Sequence, residues 1–249
     1  TDLSTLLVDE NDIQWYDPTL VIKNKYNYNF YISTDFATST KMSADYSTIG
    51  VWAVSSNNDW LLVDGQCKRQ SMQENIDDLF KYVHKWNPLS VGIESSGQQG
   101  GFISIIREMM LKKNVWFQFA KRKNSKELGI RPIKDKVHRF VTGVQPKFAQ
   151  QKIWFPKPDL IKIGNYKLFE LIEEMIAELS KFTLAGGVKS LKHDDAIDLL
   201  NQLSEMDLFT PSVEEETGRV ISNNSDEVIW DSIWDSPEEK NISGGSTIF

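Results

Sequence analysis

The chain has 249 residues, 40% hydrophobic and 25% charged, with a formal charge of −7 and one cysteine, Cys67. That length can bury a substantial core. No run of about 18 apolar residues is available to span a bilayer, Thr1-Asp2-Leu3 does not open a signal peptide, and a lone cysteine builds no internal disulfide framework. The cytoplasm is therefore the expected compartment.

The opening segment, 1–26, carries Trp15 and Tyr16 and reads as an arm or linker; because the first residue is not methionine, an upstream portion is expected to be missing. Asn29 to Asp35 alternates and is rich in β-formers, so it reads as a strand with Asp35 at its end. Ser47–Val54 and Trp60–Asp64 flank the turn-like Ser55-Ser56-Asn57-Asn58-Asp59 and complete an antiparallel meander. Met72, Ile76, Leu79, Phe80, Val83 and Trp86 then recur at helical spacing, with Ser71 as the cap, Glu74 three residues on, and Pro88 at the exit. Leu89 to Glu94 is a short strand, Ser95 to Gly101 a glycine-bearing loop, Phe102 to Leu111 an apolar helix, and Val115–Phe119 a fifth strand. Beyond these, 135–150 reads as helical, Lys152–Phe155 as a short strand, Tyr166–Phe182 as an amphipathic helix, and 193–206 as a last helix. Three meander strands, helix, strand, helix, strand is the element order of an RNase H-like α/β fold, a mixed sheet flanked by helices. The domain is placed at 27–208 and an acidic tail at 209–249. In that tail Ile229-Trp230-Asp231-Ser232 is repeated at once as Ile233-Trp234-Asp235-Ser236, either folding back or anchoring a partner.

Charge is unevenly spread. Between Leu111 and Asn165 there are 14 Lys or Arg against three acids, whereas Thr210–Phe249 has two basic residues against nine acids. The middle stretch fits an electrostatic footprint for phosphates, or else a solvated basic surface.

Three acids stand where the expected fold would gather them. Asp35 ends the first strand, Glu94 ends the fourth, and Asp195 lies in the first turn of the last helix. An anionic pocket of that kind is costly unless cations fill it, and hard oxygen donors suit Mg²⁺ or Mn²⁺. Two such ions about 3.5–4 Å apart suit in-line phosphodiester hydrolysis. Helical phase selects Asp195, which stacks before Leu199 on the edge of the Ala196–Leu199–Leu200–Leu203 stripe; Asp194 stacks with Asp198 and is expected to be outer or exposed. Each acid alone has an ordinary explanation: a polar strand terminus, or for Asp194 and Asp195 a favourable place at a helix N-terminus. His193 is a ligand, a water-orienting group or a helix-boundary residue, and Asp45 a weaker ligand or a turn cap. Two motifs are decoys. Gly186-Gly187-Val188-Lys189-Ser190 lacks the first glycine of a phosphate loop, so ATP hydrolysis by this chain is not expected, and Ser95 to Gly101 could cradle a phosphate at a helix start but is explained as well by a strand-to-helix connection. No Cys/His spacing supports zinc.

Tyr31-Ile32-Ser33-Thr34-Asp35 with Asp45-Tyr46-Ser47-Thr48-Ile49, Val91-Gly92-Ile93-Glu94, and above all His193-Asp194-Asp195-Ala196-Ile197-Asp198-Leu199-Leu200 resemble the C-terminal nuclease domain of the large terminase subunit of tailed bacteriophages. Lys134 to Arg139, Pro146-Lys147-Phe148 and Lys152 to Pro156 resemble the basic segment of that family, and the likeness runs from about Tyr28 to Leu208. The resemblance implies an endonuclease that cuts concatemeric double-stranded DNA during genome packaging in the host cytoplasm. It implies Asp35, Glu94 and Asp195 as metal ligands, with Asp194 and Asp45 as weaker ones, and Mg²⁺ or Mn²⁺ as cofactor. An ATPase motor in the same subunit, a portal and a small terminase subunit are the implied partners. Lys121, Arg122, Lys123, Lys126, Arg131, Lys134, Lys136 and Arg139 would then line the DNA path, contacting phosphates and so reading little sequence. Competing expectations are another RNase H-like nuclease, such as a resolvase or transposase-like enzyme, and a non-catalytic DNA-binding or docking module.

Overall fold

The computed structural model describes residues 6–37, 46–95, 100–184 and 194–212. Asp45, His193, the Gly186–Ser190 motif and the tryptophan repeat of the tail lie outside them. The elements, in chain order, are β1 (Gln14–Tyr16), α1 (Thr19–Lys23), β2 (Asn29–Asp35), β3 (Ser47–Val54), β4 (Trp60–Lys68), α2 (Met72–Trp86), β5 (Ser90–Val91) and α3 (Gly100–Lys113). They continue with α4 (Lys136–Arg139), a π-helical turn over Phe140–Val144, α5 (Gln145–Ala149), β6 (Ile153–Pro156), α6 (Pro158–Ile161), α7 (Tyr166–Leu179) and α8 (Asp195–Glu205).

One mixed sheet, ordered β1-β6-β4-β3-β2-β5, organises them. The meander β2-β3-β4 is antiparallel, while β5 runs parallel to β2, β6 parallel to β4, and β1 parallel to β6. All eight residues of β3 are buried, as a central strand covered on both faces requires. Helix α7 lies against β4, α8 against β2 and β3, and α2 packs on β3. The apolar stripes of α7 and α8 join Tyr31, Trp52, Val54 and Leu62 in one core. Helix α2 begins with the expected capping box: Glu74 N–H donates to Ser71, and the Glu74 carboxylate accepts from the Ser71 backbone N–H. It ends at Trp86, two residues before Pro88, and Asn87 between them takes a left-handed conformation.

Several expectations change. Within the opening segment, expected as an arm or linker, Gln14–Tyr16 instead forms the sheet edge beside β6, and buried Tyr16 donates its hydroxyl proton to Leu62 O at 2.8 Å. Three residues are too few to register as a sequence period, so only tertiary pairing reveals β1. The strand expected at Val115–Phe119 shrinks to a bridge between Phe119 and Val91. The single helix expected at 135–150 is three pieces, because its middle turn widens to π geometry. Among the described residues no helix is long and apolar enough to cross a membrane.

Candidate active site

Asp35 leaves the end of β2 beside α8. A single side chain fixes that strand end: Gln202 of α8 accepts from Thr34 N–H at 2.8 Å and donates to Thr34 O at 2.9 Å, closing on the backbone as a neighbouring strand would. Thr34 in turn donates its hydroxyl proton to Gly92 O. The next strand reaches the same rim, since Gly92 N–H donates to Ile32 O and Glu94 bridges to Ile130. A Cβ at Gly92 would lie 2.4 Å from Gln202 Oε1, so a larger residue there would displace the Gln202 side chain that holds Thr34. Asp35 and Glu94 thus share one small pocket, also lined by Thr34, Ile130, Pro132, Arg139, Asp198 and Gln202.

The third acid is divided between two residues one turn apart. Asp195 is 5% exposed and turned to the sheet, as its helical phase predicts; Tyr46 N–H donates to Asp195 Oδ2 at 2.9 Å and Thr48 donates to its carbonyl. Asp198 is the acid that lines the pocket with Asp35 and Glu94. Helical phase alone stacks Asp198 with Asp194, on the face expected to be outer. The available signal was the Asp195-Ala196-Ile197-Asp198 spacing, which places two acids on adjoining turns of one helix side. Burial, then Asp198, then Asp195 push the Asp35 carboxyl well above the usual carboxylate range; Lys136 pulls it back, and Glu94 adds to the rise.

Two expected phosphate contacts belong to this cluster instead. Lys136, on the first turn of α4, forms ion pairs with both Asp194 and Asp198 and donates to Asp194 O. Arg139 pairs with Asp198 at 3.3 Å and Glu205 at 3.4 Å. Their side chains are only 16% and 12% exposed, because α4 packs on α8 and each cation compensates a carboxylate that burial would otherwise penalise. Burial disfavours the Lys136 ammonium, yet Asp198 and Asp194 hold it above its ordinary value. Of the other basic candidates, Lys121, Lys123, Lys126, Arg131 and Lys134 are exposed, and Arg122 is half-buried against Glu205.

A further acid, unforeseen from the sequence, organises α8 itself. Asp194 makes no side-chain cap. Instead Glu178, on the buried stripe of α7, accepts from Ala196 N–H at 3.2 Å and Ile197 N–H at 2.8 Å. Burial pushes its carboxyl up to about 8, opposed by these two bonds and reinforced by Asp195 and Glu174.

The cluster suits a hard divalent cation by its donors, all carboxylate oxygens, and by its electrostatics: a half-buried Asp35 crowded by acids, with one lysine ammonium already standing in as counter-cation. The side chains are gathered but not closed on one point, for among the described residues no three acids sit at common metal-binding spacing.

A family model described as the terminase RNase H-like domain matches residues 32–206. Among solved structures, the chain is similar to a human cytomegalovirus terminase nuclease domain, manganese-soaked and inhibitor-bound, with 13% identity, TM-score 0.48, and coverage of 79% of this chain and 92% of that one. It is also similar to a yeast mitochondrial Holliday junction resolvase, with 10% identity, TM-score 0.31, and coverage of 71% and 80%. No curated protein sequence matches the chain. With some seven-tenths of its length matched by that model, the chain belongs to the terminase RNase H-like domain family.

Proposed function

We propose that this domain is a divalent-metal-dependent endonuclease that cuts double-stranded DNA with little sequence preference, in the service of viral genome packaging. The observation that carries the reading is the convergence of Asp35, Glu94 and Asp198 on one pocket, with Asp195 acting on Asp35 from the next turn of α8. When bound, two Mg²⁺ or Mn²⁺ ions would supply an activated water and stabilise the leaving 3′-oxygen.

The chain's own residues perform the positioning. Gln202 holds the end of β2, so that Asp35 is presented from a fixed backbone. Asp35, Glu94 and Asp198 are the direct ligands of this scheme, Asp195 and Asp194 the adjoining acids, and Lys136 and Arg139 keep Asp198 oriented through ion pairs. The exposed cations Lys121, Lys123, Lys126, Arg131 and Lys134 attract the phosphate backbone without reading bases. Family membership supports concatemeric bacteriophage DNA as substrate in the host cytoplasm, an ATPase motor in the same subunit, and a portal and small terminase subunit as partners.

The test is cleavage of supercoiled plasmid by the purified chain with Mn²⁺ or Mg²⁺, beside Asp35→Asn, Glu94→Gln, Asp195→Asn and Asp198→Asn. Cleavage should require the metal and be lost in Asp35→Asn and Glu94→Gln, with Asp198→Asn at least as damaging as Asp195→Asn. Full cutting by all four variants would remove the mechanism.

A further inference from the structure

A second cleft of about 390 Å³ shares Arg139 with the Asp35 pocket and is walled by Arg122, Lys123, Lys134, His138 and Arg139. Among the described residues that line it the only acid is Glu205, which pairs with both Arg122 and Arg139. Among the described residues neither Lys123 nor Lys134 has a carboxylate in salt-bridge reach; the Lys134 ammonium lies 2.8 Å from His138 Nε2 instead. The cleft is therefore cationic beside a carboxylate pocket, and the two share Arg139 as their common wall.

The cleft floor is built by close packing. The π-helical turn Phe140–Val144 sits on α8 so tightly that a Cβ on Gly143 would lie 2.6 Å from Ser204 Oγ. Isolated π turns of this kind recur at functional sites. The hydroxyls lining the cleft have already committed their protons, Thr142 to His138 O and Ser204 to Asn201 O. What is left to offer a ligand is the ammonium of Lys123 and of Lys134, with the part of the Arg122 guanidinium that does not pair with Glu205. Such a donor set suits a phosphate oxyanion and fits a neutral ligand poorly.

We propose that this cleft seats a phosphate of the DNA backbone, next to the phosphate that is attacked in the Asp35 pocket. The inference rests on the nuclease reading above, and assigns to a built site a contact that would otherwise be spread over the whole basic stretch. One phosphate held on each side of Arg139 would fix the register of the strand against the carboxylates.

The experiment measures binding of a fluorescent DNA duplex to the full chain in EDTA, across a range of salt, by anisotropy. Lys123→Ala/Lys134→Ala is compared with the charge-matched pair Lys162→Ala/Lys167→Ala on exposed residues elsewhere, and Lys123→Arg/Lys134→Arg serves as the conservative variant. The cleft pair should weaken binding about tenfold or more and lower the salt slope by about two, with the control pair changing affinity less than about twofold. Arginine at both positions should retain most of the binding. Equal losses in the two alanine pairs would overturn the proposal, since the attraction would then be diffuse. Inorganic phosphate provides the other arm: if it protects the parent chain against thermal unfolding through Lys123 and Lys134 but the DNA affinity of both pairs is the same, the cleft takes free phosphate and the proposal fails. Because binding is read without metal, an inactive nuclease with a cleft-specific loss counts against the nuclease reading alone. Plasmid cleavage without any cleft-specific loss counts against the phosphate seat alone.

Discussion

Gln202 shows how much of the site depends on one residue that bears no charge. Its amide satisfies the N–H and C=O of Thr34, both buried. Gln202→Leu would leave both without partners and release the strand end carrying Asp35. The expected cost is about 2–4 kcal/mol of stability, read from urea midpoints, with a fall in kcat larger than any change in KM; a variant as active and stable as the parent would show that β2 needs no clamp. Lys136 acts in the opposite sense. Its ammonium occupies Asp198 and repels a second cation, so Lys136→Met should bind Mn²⁺ severalfold more tightly in calorimetric titration. Unchanged or weaker Mn²⁺ binding would mean that the ammonium does not compete for Asp198. The sequence pointed to Lys136 and Arg139 as basic and offered nothing to indicate that α4 would carry them inward.

Helix α8 begins against a residue from another helix, and that dependence carries a pH signature. Glu178 caps Ala196 and Ile197 from within the core, with its carboxyl held at about 8. The folded state keeps a proton that an unfolded glutamate releases near its ordinary value of 4.5. The unfolded chain therefore binds fewer protons between those values, and stability falls as pH rises from about 5 to about 8. Glu178→Gln, which does not titrate, should flatten this part of the stability–pH curve in EDTA relative to the parent; superimposable pH profiles would exclude Glu178 as the source. Elements legible in the sequence were those fixed locally. Ser71 and Glu74 announce the start of α2 because both partners of the capping box lie within one turn, and β2 and α7 show their periods over seven or more residues. The cap of α8 spans 18 and 19 residues, β1 is three residues long, and both become visible only when the sheet brings distant segments together. Glu178 did leave a trace, as a charged residue on the stripe Leu168, Leu171, Ile172, Met175, Leu179.

At the scale of the molecule, the fold concentrates acids at one rim of the sheet and sets cations beside them, an arrangement expected to cost stability when no metal is bound. Asp35 bears much of that strain, since burial, Asp198, Asp195 and Glu94 all disfavour its charged form and Lys136 offsets only part. A neutral isostere should relieve it. In EDTA, Asp35→Asn should melt above the parent by a few degrees, about 2–4 °C for each kcal/mol gained in a chain of this size. Mn²⁺ at about a hundred times its Kd should stabilise the parent by about 2.7 kcal/mol and the variant far less. The order of melting temperatures would thus invert on adding metal, the variant higher in EDTA and the parent higher in Mn²⁺, as expected where a functional site is held at the expense of stability. Scanning calorimetry of both proteins in both buffers checks it. If the variant melts lower in EDTA, the Asp35 carboxylate stabilises the metal-free fold; if both proteins gain equally from Mn²⁺, the ion binds away from Asp35.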